Sequence, residues 1–392
     1  MSGFLAVLGG PRELHARDAV AAAAAALDAR SPDGLAGWSS GAATLVQGLL
    51  RLYPEQTAPP EVATLDGSTW LVGDARIDAR DELRRELGID VSTTSDAELV
   101  LHAYRAWGEE CLHHLRGDFS FLVWDEPRRE AFFATDHFAV RPLFHAALPG
   151  GGLAVSNTLA ALRGVRGVAP ELDELAVADY LLFGFAMEAE GTIFSAVRRL
   201  PRAHRGRWSA AGGVRVQPYW TLSAQPELRL RDGSEYVEAF RELLGSAVRD
   251  RLRGSPVSIE MSGGLDSTLL AALAKRELEA AGVAAGVRGW CFSHAAGFAD
   301  PEPAFAQAAA DHLGIPLHVF DAGRVAALDG APATRAAPLP PLAPINQAVA
   351  REMLAHSRIA LSGFDGDALL KVSLRRVWRG MLARSAAGGL VR

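Results

Sequence analysis

The run Ser262-Gly263-Gly264-Leu265-Asp266-Ser267 brings together residue types that can hold a chain of phosphates. Two adjacent glycines let a backbone turn tightly and bring its N–H groups against an oxyanion with no Cβ in the way. Ser262, Ser267 and Thr268 add hydroxyl donors. Asp266 is the odd member of such a cradle, because its carboxylate would repel phosphate. It makes sense where Mg²⁺ bridges it to a pyrophosphate. No Lys follows the glycines, so this is not the nucleotide P-loop, and the spacing is not that of the dinucleotide fingerprint.

A second loop, Leu361-Ser362-Gly363-Phe364-Asp365-Gly366-Asp367, repeats the theme one sheet-crossing later. Ser362 and Gly363 are candidates for contact with the nucleotide, and Asp367 for a second Mg²⁺ ligand opposite Asp266. An Asp-Gly-Asp turn alone is ordinary loop chemistry. Paired with the first loop it gains meaning.

Both loops need strands that deliver them to one edge. The first follows the apolar run VSIEM and precedes the helical pattern from Thr268, which adds the partial positive charge of a helix N-terminus. Beyond it come strand RGWCFSH, helix EPAFAQAAADHLG, strand PLHVFD, helix NQAVAREMLAHS and strand RIALSG. Strict alternation of this kind predicts a parallel sheet covered by helices on both faces, with both loops at its C-terminal edge. The front half differs. WLVGDARID, FSFLVWD, EAFFATD and GLAVSN read as strands at hairpin-like spacing, with helical patterns in AELVLHAYRAWGEECLHHL and ELAVADYLLFG. That suits an α+β sandwich. Pro and Ser accumulate in YWTLSAQPEL, so we divide the chain into residues 1–222 and 223–392.

Length and composition fit two globular domains: 392 residues, 49% hydrophobic, 22% charged, net charge −6. No strongly basic balance points to nucleic acid. Cys111 and Cys291 lie in unrelated segments without metal-ligand spacing, which fits a reducing cytoplasm. The start MSGFLAVLGG lacks the basic region and long apolar stretch of a signal peptide, and no segment approaches a membrane span. A cytoplasmic protein without membrane partners is expected.

Taken in order, VGDARIDARDELRRELG, TSDAELVLHAYRAWGEECLHHLRGDFSFLVWD, TDHFAVRPLFHA, FSAVRRLPRAH, the Tyr219-Trp220 junction and the two glycine loops resemble asparagine synthetases and their relatives. Those relatives include β-lactam synthetases and lasso-peptide cyclases. The resemblance covers essentially the whole chain. It implies an N-terminal-nucleophile-hydrolase-like sandwich of glutaminase type, followed by an α/β ATP-pyrophosphatase domain. It also implies that Met261, Ser262, Gly263, Gly264, Leu265, Asp266, Ser267, Ser293, Ser362 and Gly363 contact ATP, with Asp266, Ser262 and Ser267 acting in catalysis. Asp266 and Asp367 would hold Mg²⁺. The resemblance further implies that a carboxylate of a small molecule or peptide attacks the α-phosphorus, giving an acyl-adenylate that an amine converts to an amide.

The chain departs from that family in four places. Glutamine-dependent members carry a nucleophilic cysteine where this sequence has Ser2, whose hydroxyl is far less nucleophilic at neutral pH. The family's Asn-Gly-Glu is altered to Val72-Gly73-Asp74, which removes the amide that grips glutamine, while Asp96 matches the acidic residue that holds the glutamine amine. These residues read as a degenerate glutaminase site. In the second loop, Asp365 and Ala368 replace a Gly and a Glu of the family's Gly-Gly-Asp-Glu. Finally, the sequence stops about 25 residues past Asp367, before the family's acceptor-pocket helices. A fragmentary gene product, an enzyme completed by a separate chain, and a shortened binding protein all remain open. The expected activity is an AMP-forming amide ligase using ammonia or a substrate's own amine; the alternatives are a glutamine-hydrolysing asparagine synthase and a catalytically silent relative.

Overall fold

The structure is a computed structural model that describes residues 2–53, 56–89, 95–224, 226–283, 286–293, 300–321, 323, 343–364 and 366. Asp367, Asp365 and the final segment fall outside the described residues. In chain order the front part holds β1 (Phe4–Leu8), α1 (Arg17–Ala25), β2 (Leu35–Ser39), β3 (Ala43–Gly48), β4 (Ala63–Thr64), β5 (Thr69–Ile77), α2 (Arg80–Leu87), α3 (Asp96–Trp107), β6 (Gly117–Asp125) and β7 (Glu130–Thr135). There follow β8 (Phe144–Leu148), β9 (Gly152–Ser156), α4 (Leu159–Gly164), α5 (Glu174–Phe183), β10 (Val197–Arg199), β11 (His204–Ser209) and β12 (Gly213–Pro218). The rest comprises α6 (Gly233–Leu252), β13 (Val257–Glu260), α7 (Leu265–Ala280), β14 (Val287–Ser293), α8 (Glu302–Leu313), β15 (Leu317–Asp321), α9 (Ala343–Leu354) and β16 (Ala360–Ser362). Two compact units part between Val237 and Glu238, within α6.

Among the described residues the first unit holds two six-stranded antiparallel sheets, ordered β10-β8-β9-β1-β3-β2 and β12-β11-β7-β6-β5-β4. Side-chain alternation decides the layering. On β1, Phe4, Ala6 and Leu8 join Leu122, Trp124 and Phe133 of the other sheet in a core between the sheets. The alternate residues Leu5 and Val7 pack with Val20 and Ala23 of α1 and Leu162 of α4. On β6, Phe119, Phe121 and Val123 face Leu99, Val100 and Ala103 of α3. The unit is therefore a helix–sheet–sheet–helix sandwich, the expected class. Because both faces of each sheet are covered, β1 reads as an unbroken apolar run. A capping box, Ser95 with Glu98, starts α3.

The second unit has, among its described residues, a four-stranded parallel sheet ordered β15-β14-β13-β16. Val257 and Ile259 of β13 and Cys291 of β14 pack with Ala271 and Ala274 of α7 and Ala306 and Ala310 of α8. Trp290 of β14, the alternate position, packs instead with Val349 and Met353 of α9. Helices thus cover both faces, as predicted. No described helix is long and apolar enough to cross a membrane.

One partly buried group ties the sandwich to pH. His145 on β8 lies beside the Phe133 ring and opposite Arg198 of β10. Burial, with Arg198 adding to it, pushes its pKa down to about 4. The folded state keeps this imidazole neutral while the unfolded chain protonates near pH 6.5, so stability is lost as pH falls from 6.5 toward 4. The loss reaches about 3 kcal/mol. Urea midpoints measured from pH 7 to pH 4.5 should fall accordingly, and His145→Gln should flatten that slope.

Candidate functional site

Residue 2 precedes β1 and is held from three directions. Its main-chain N–H donates to Asp74 Oδ1 at 3.1 Å, its Oγ accepts the Leu50 N–H at 3.1 Å, and its carbonyl accepts from Asn157 Nδ2 at 2.7 Å. The Asn157 Oδ1 accepts the Phe4 N–H, so one carboxamide spans the start of the chain. Asp74 is buried, on β5 one residue past Gly73. The nine-pair register of β5 and β6 sets Gly73 against Phe121, whose Cβ would lie 2.7 Å from any Cβ at 73. A glycine is required there.

Guanidinium groups crowd the Asp74 carboxylate. Arg141 Nε lies 3.4 Å from Asp74 Oδ2, close enough for an ion pair but misaligned, and neither atom has a hydrogen-bond partner among the described residues. Burial lowers the pKa of Arg30, Asp74 opposes that shift, and Arg141 adds to it; Arg30 Nη1 is likewise unpartnered. Buried polar atoms without partners are costly, so this is where water or a polar ligand is stabilised. Asp136 places Arg141. Its carboxylate is buried and accepts four backbone N–H groups: Oδ1 takes Phe138 and Val140, Oδ2 takes Phe119 and Arg141. In Asp136→Asn the amide NH₂ would face two of those donors. We expect a loss of about 2–4 kcal/mol, read as a lower denaturant midpoint.

Of the residues singled out from sequence, Ser2, Gly73 and Asp74 meet here. Asp96 opens α3, and its buried carboxylate pairs with Arg80; it makes no direct bond to Ser2. Sequence reasoning missed Arg30, Gln47, Arg141 and Asn157. Arg141 and Asn157 lie within or beside recognisable motifs, but nothing local links them to residue 2.

In the second unit the glycine loop leaves the C-terminal end of β13. This strand lies between β14 and β16, where the strand order reverses and ligands bind in open α/β sheets. Helix α7 begins at Leu265, three residues before the expected Thr268, so Leu265, Asp266 and Ser267 form its first turn. Gly264 caps the helix with no side-chain hydrogen bond, which leaves its first N–H groups open to an anion. The two serine hydroxyls close the loop upon itself. Ser262 Oγ accepts the Gly264 N–H, and Ser267 Oγ accepts the Ser262 N–H and donates to the Gly264 carbonyl, each at 3.3 Å.

The second loop is packed onto this turn. A Cβ at Gly363 would lie 2.9 Å from Ser267 N, and one at Gly366 would lie 2.6 Å from Asp266 Oδ2. Ser293 ends β14, Ser362 ends β16, and Met261 is buried at the end of β13 over Gly289. The sites named on these strands and loops therefore share one edge; Asp367 follows Gly366 outside the described residues. The Asp266 carboxylate has no hydrogen bond or ion pair among the described residues, which fits a group reserved for a cation. Nor do the described residues gather three or more His, Cys, Asp or Glu for a metal.

Comparison with known proteins finds two domain families in succession along the chain. The glutamine amidotransferase domain family matches residues 1–220, and the asparagine synthase family matches residues 239–379. A Mycobacterium tuberculosis protein provisionally named a glutamine-hydrolysing asparagine synthetase is 31% identical over 292 residues, covering 68% of this chain and 44% of its own length. Asparagine synthetase (glutamine-hydrolysing) 3 of Bacillus subtilis is 29% identical, over 57% of this chain and 37% of its own. Amidase chry2 of Gibberella zeae is 27% identical, over 57% of this chain and 34% of its own. The chain spans less than half the length of these relatives. With both domain families matched in the same order as the two folded units, the chain belongs to the asparagine synthetase family.

Proposed function

We propose that this protein is an ATP-dependent, AMP-forming amide ligase that activates a substrate carboxylate as an acyl-adenylate. The observation that carries the reading is the packing of Gly363 and Gly366 on Asp266 and Ser267, which joins both loops at the reversal point of a parallel sheet. There the open N–H groups of α7 and the glycine backbone meet the pyrophosphate being expelled when a carboxylate oxygen attacks the α-phosphorus. Asp266 would hold a Mg²⁺ ion, which would supply positive charge against the negative charge growing on the pyrophosphate. The buried ends of β13 and β14, with Met261 and Ser293, form the floor on which the adenosine end rests.

The amine comes from ammonia or from the substrate itself, as in ring closure, and not from glutamine. Supporting this, residue 2 carries a hydroxyl in place of a thiol, and its flanking carboxylate is the shorter Asp74. ATP–pyrophosphate exchange, measured with a panel of amino acids and short peptides as carboxylates, tests the ligase. Exchange that depends on one carboxylate is expected. A protein that binds ATP yet exchanges with no member of a broad panel would count against the reading.

A further inference from the structure

The side chain of Gln47, on β3, does something that the position of residue 2 alone does not explain. Its Nε2 donates to the Gly48 carbonyl at 2.7 Å and to the Gly73 carbonyl at 3.0 Å, while its Oε1 accepts the Gly73 N–H at 2.7 Å. The orientation is forced, since flipping the amide would set its oxygen against two carbonyls. Gly73 directly precedes Asp74, whose carboxylate takes the residue 2 N–H. Acyl transfer from a carboxamide at residue 2 needs backbone donors free to meet the oxyanion. Two such groups border the site. The Leu50 N–H is bound to the residue 2 hydroxyl, and the Gly73 N–H is bound to Gln47.

We propose that the Gln47 carboxamide occupies the place a glutamine carboxamide would need, making it a built-in plug that closes the first unit to glutamine whatever residue stands at position 2. This rests on the reading that the first unit does not hydrolyse glutamine, and it names the contact responsible. Substituting the nucleophile alone would then restore nothing. The Gly73 N–H has to be released as well.

The test uses the full chain as Ser2→Cys, alone and combined with Gln47→Leu or Gln47→Asn, with loss of Met1 verified by intact mass. The probe is the diazoketone analogue of glutamine. The sulfur introduced at position 2 bonds to the diazo carbon, that carbon takes up a proton, and dinitrogen leaves. Iodoacetamide, which requires no oxyanion donor, reports thiol reactivity separately. Cys111 and Cys291 are buried and give the background. We expect Ser2→Cys alone to alkylate with iodoacetamide but label slowly with the analogue, and both double variants to label at least about tenfold faster. The plug is overturned if Ser2→Cys labels as fast as the doubles, or if neither double labels while iodoacetamide still alkylates the introduced thiol. Glutamine hydrolysis by the unaltered chain would overturn the underlying reading itself, a separate result from failure of the plug.

Discussion

Asp266→Asn should reduce ATP–pyrophosphate exchange by about 10²- to 10³-fold while leaving the fold in place. The substitution is nearly isosteric, and the native carboxylate has no hydrogen bond or ion pair among the described residues to lose. Its one structural role is a negative charge in the first turn of α7, which contributes about 0.3–1 kcal/mol at most. The denaturant midpoint should therefore move little. The electrostatic consequence depends on the metal. Without Mg²⁺, a neutral amide repels phosphate less than a carboxylate does, so metal-free ATP should bind as well or better. With Mg²⁺ present, the variant should gain little affinity, whereas the native chain gains much. Titrating ATP with and without Mg²⁺ separates the two effects. An Asp266→Asn protein that exchanges within a few-fold of native would remove this residue from the chemistry.

How much of this was legible in the sequence differs between the two units for a physical reason. In the second unit the chemistry is local. Ser262 to Ser267 are consecutive, and β13, β14 and β16 are short apolar runs that lead into Ser or Met, so strand, turn and helix announce the site together. The exception is the starting point of α7. Thr268 reads as the opening because Ser, Gly and Asp are loop formers, yet Asp266 and Ser267 are good first-turn residues once Gly264 takes the extended cap. The joining of the two loops follows from the alternation rule. The contact of Gly366 with Asp266 does not, because contact distances are not written in pattern.

In the first unit the site is non-local. Ser2 meets Asp74 and Asn157 across separations of 72 and 155 residues, and Gln47 meets Gly73 across 26. The registers of β1 with β3 and β9 and of β5 with β6, together with the face-to-face packing of the two sheets, bring those positions together, and both are tertiary properties. Residue types at Ser2, Gly73 and Asp74 are informative through family resemblance alone. Gln47 carries no signal at all in sequence: a lone glutamine in ATLVQG reads as a polar edge residue of a strand. Strand β11, HRGRWS, is hidden for a related reason. Gly206 sits where a Cβ would lie 2.2 Å from the Phe133 ring, and Arg205 and Arg207 pair with Glu109, so a segment dominated by Arg and Gly belongs to the sheet.

The two glycines of the first loop, equivalent in sequence, should respond very unequally to alanine. Gly263 has φ +77°, a left-handed conformation that costs an L-residue about 1–2 kcal/mol. A Cβ there would also fall 2.5 Å from the Phe305 carbonyl carbon and 2.7 Å from the Ala306 nitrogen. Those are backbone atoms inside α8 and cannot rotate aside, so either the loop lifts from the helix or α8 shifts. Gly263→Ala should cost about 3 kcal/mol or more and, in whatever fraction stays folded, move the phosphate cradle and abolish exchange. Gly264 has φ −71°, and its added Cβ would meet only the Ser262 hydroxyl, at 3.2 Å. That hydroxyl can turn, so Gly264→Ala should cost less than about 1 kcal/mol. Any activity it loses would then report crowding of the anion itself. Denaturation and exchange measured on both variants discriminate sharply: equal stability losses would mean that the turn is not anchored on α8, and the cradle would have to be rebuilt from other donors.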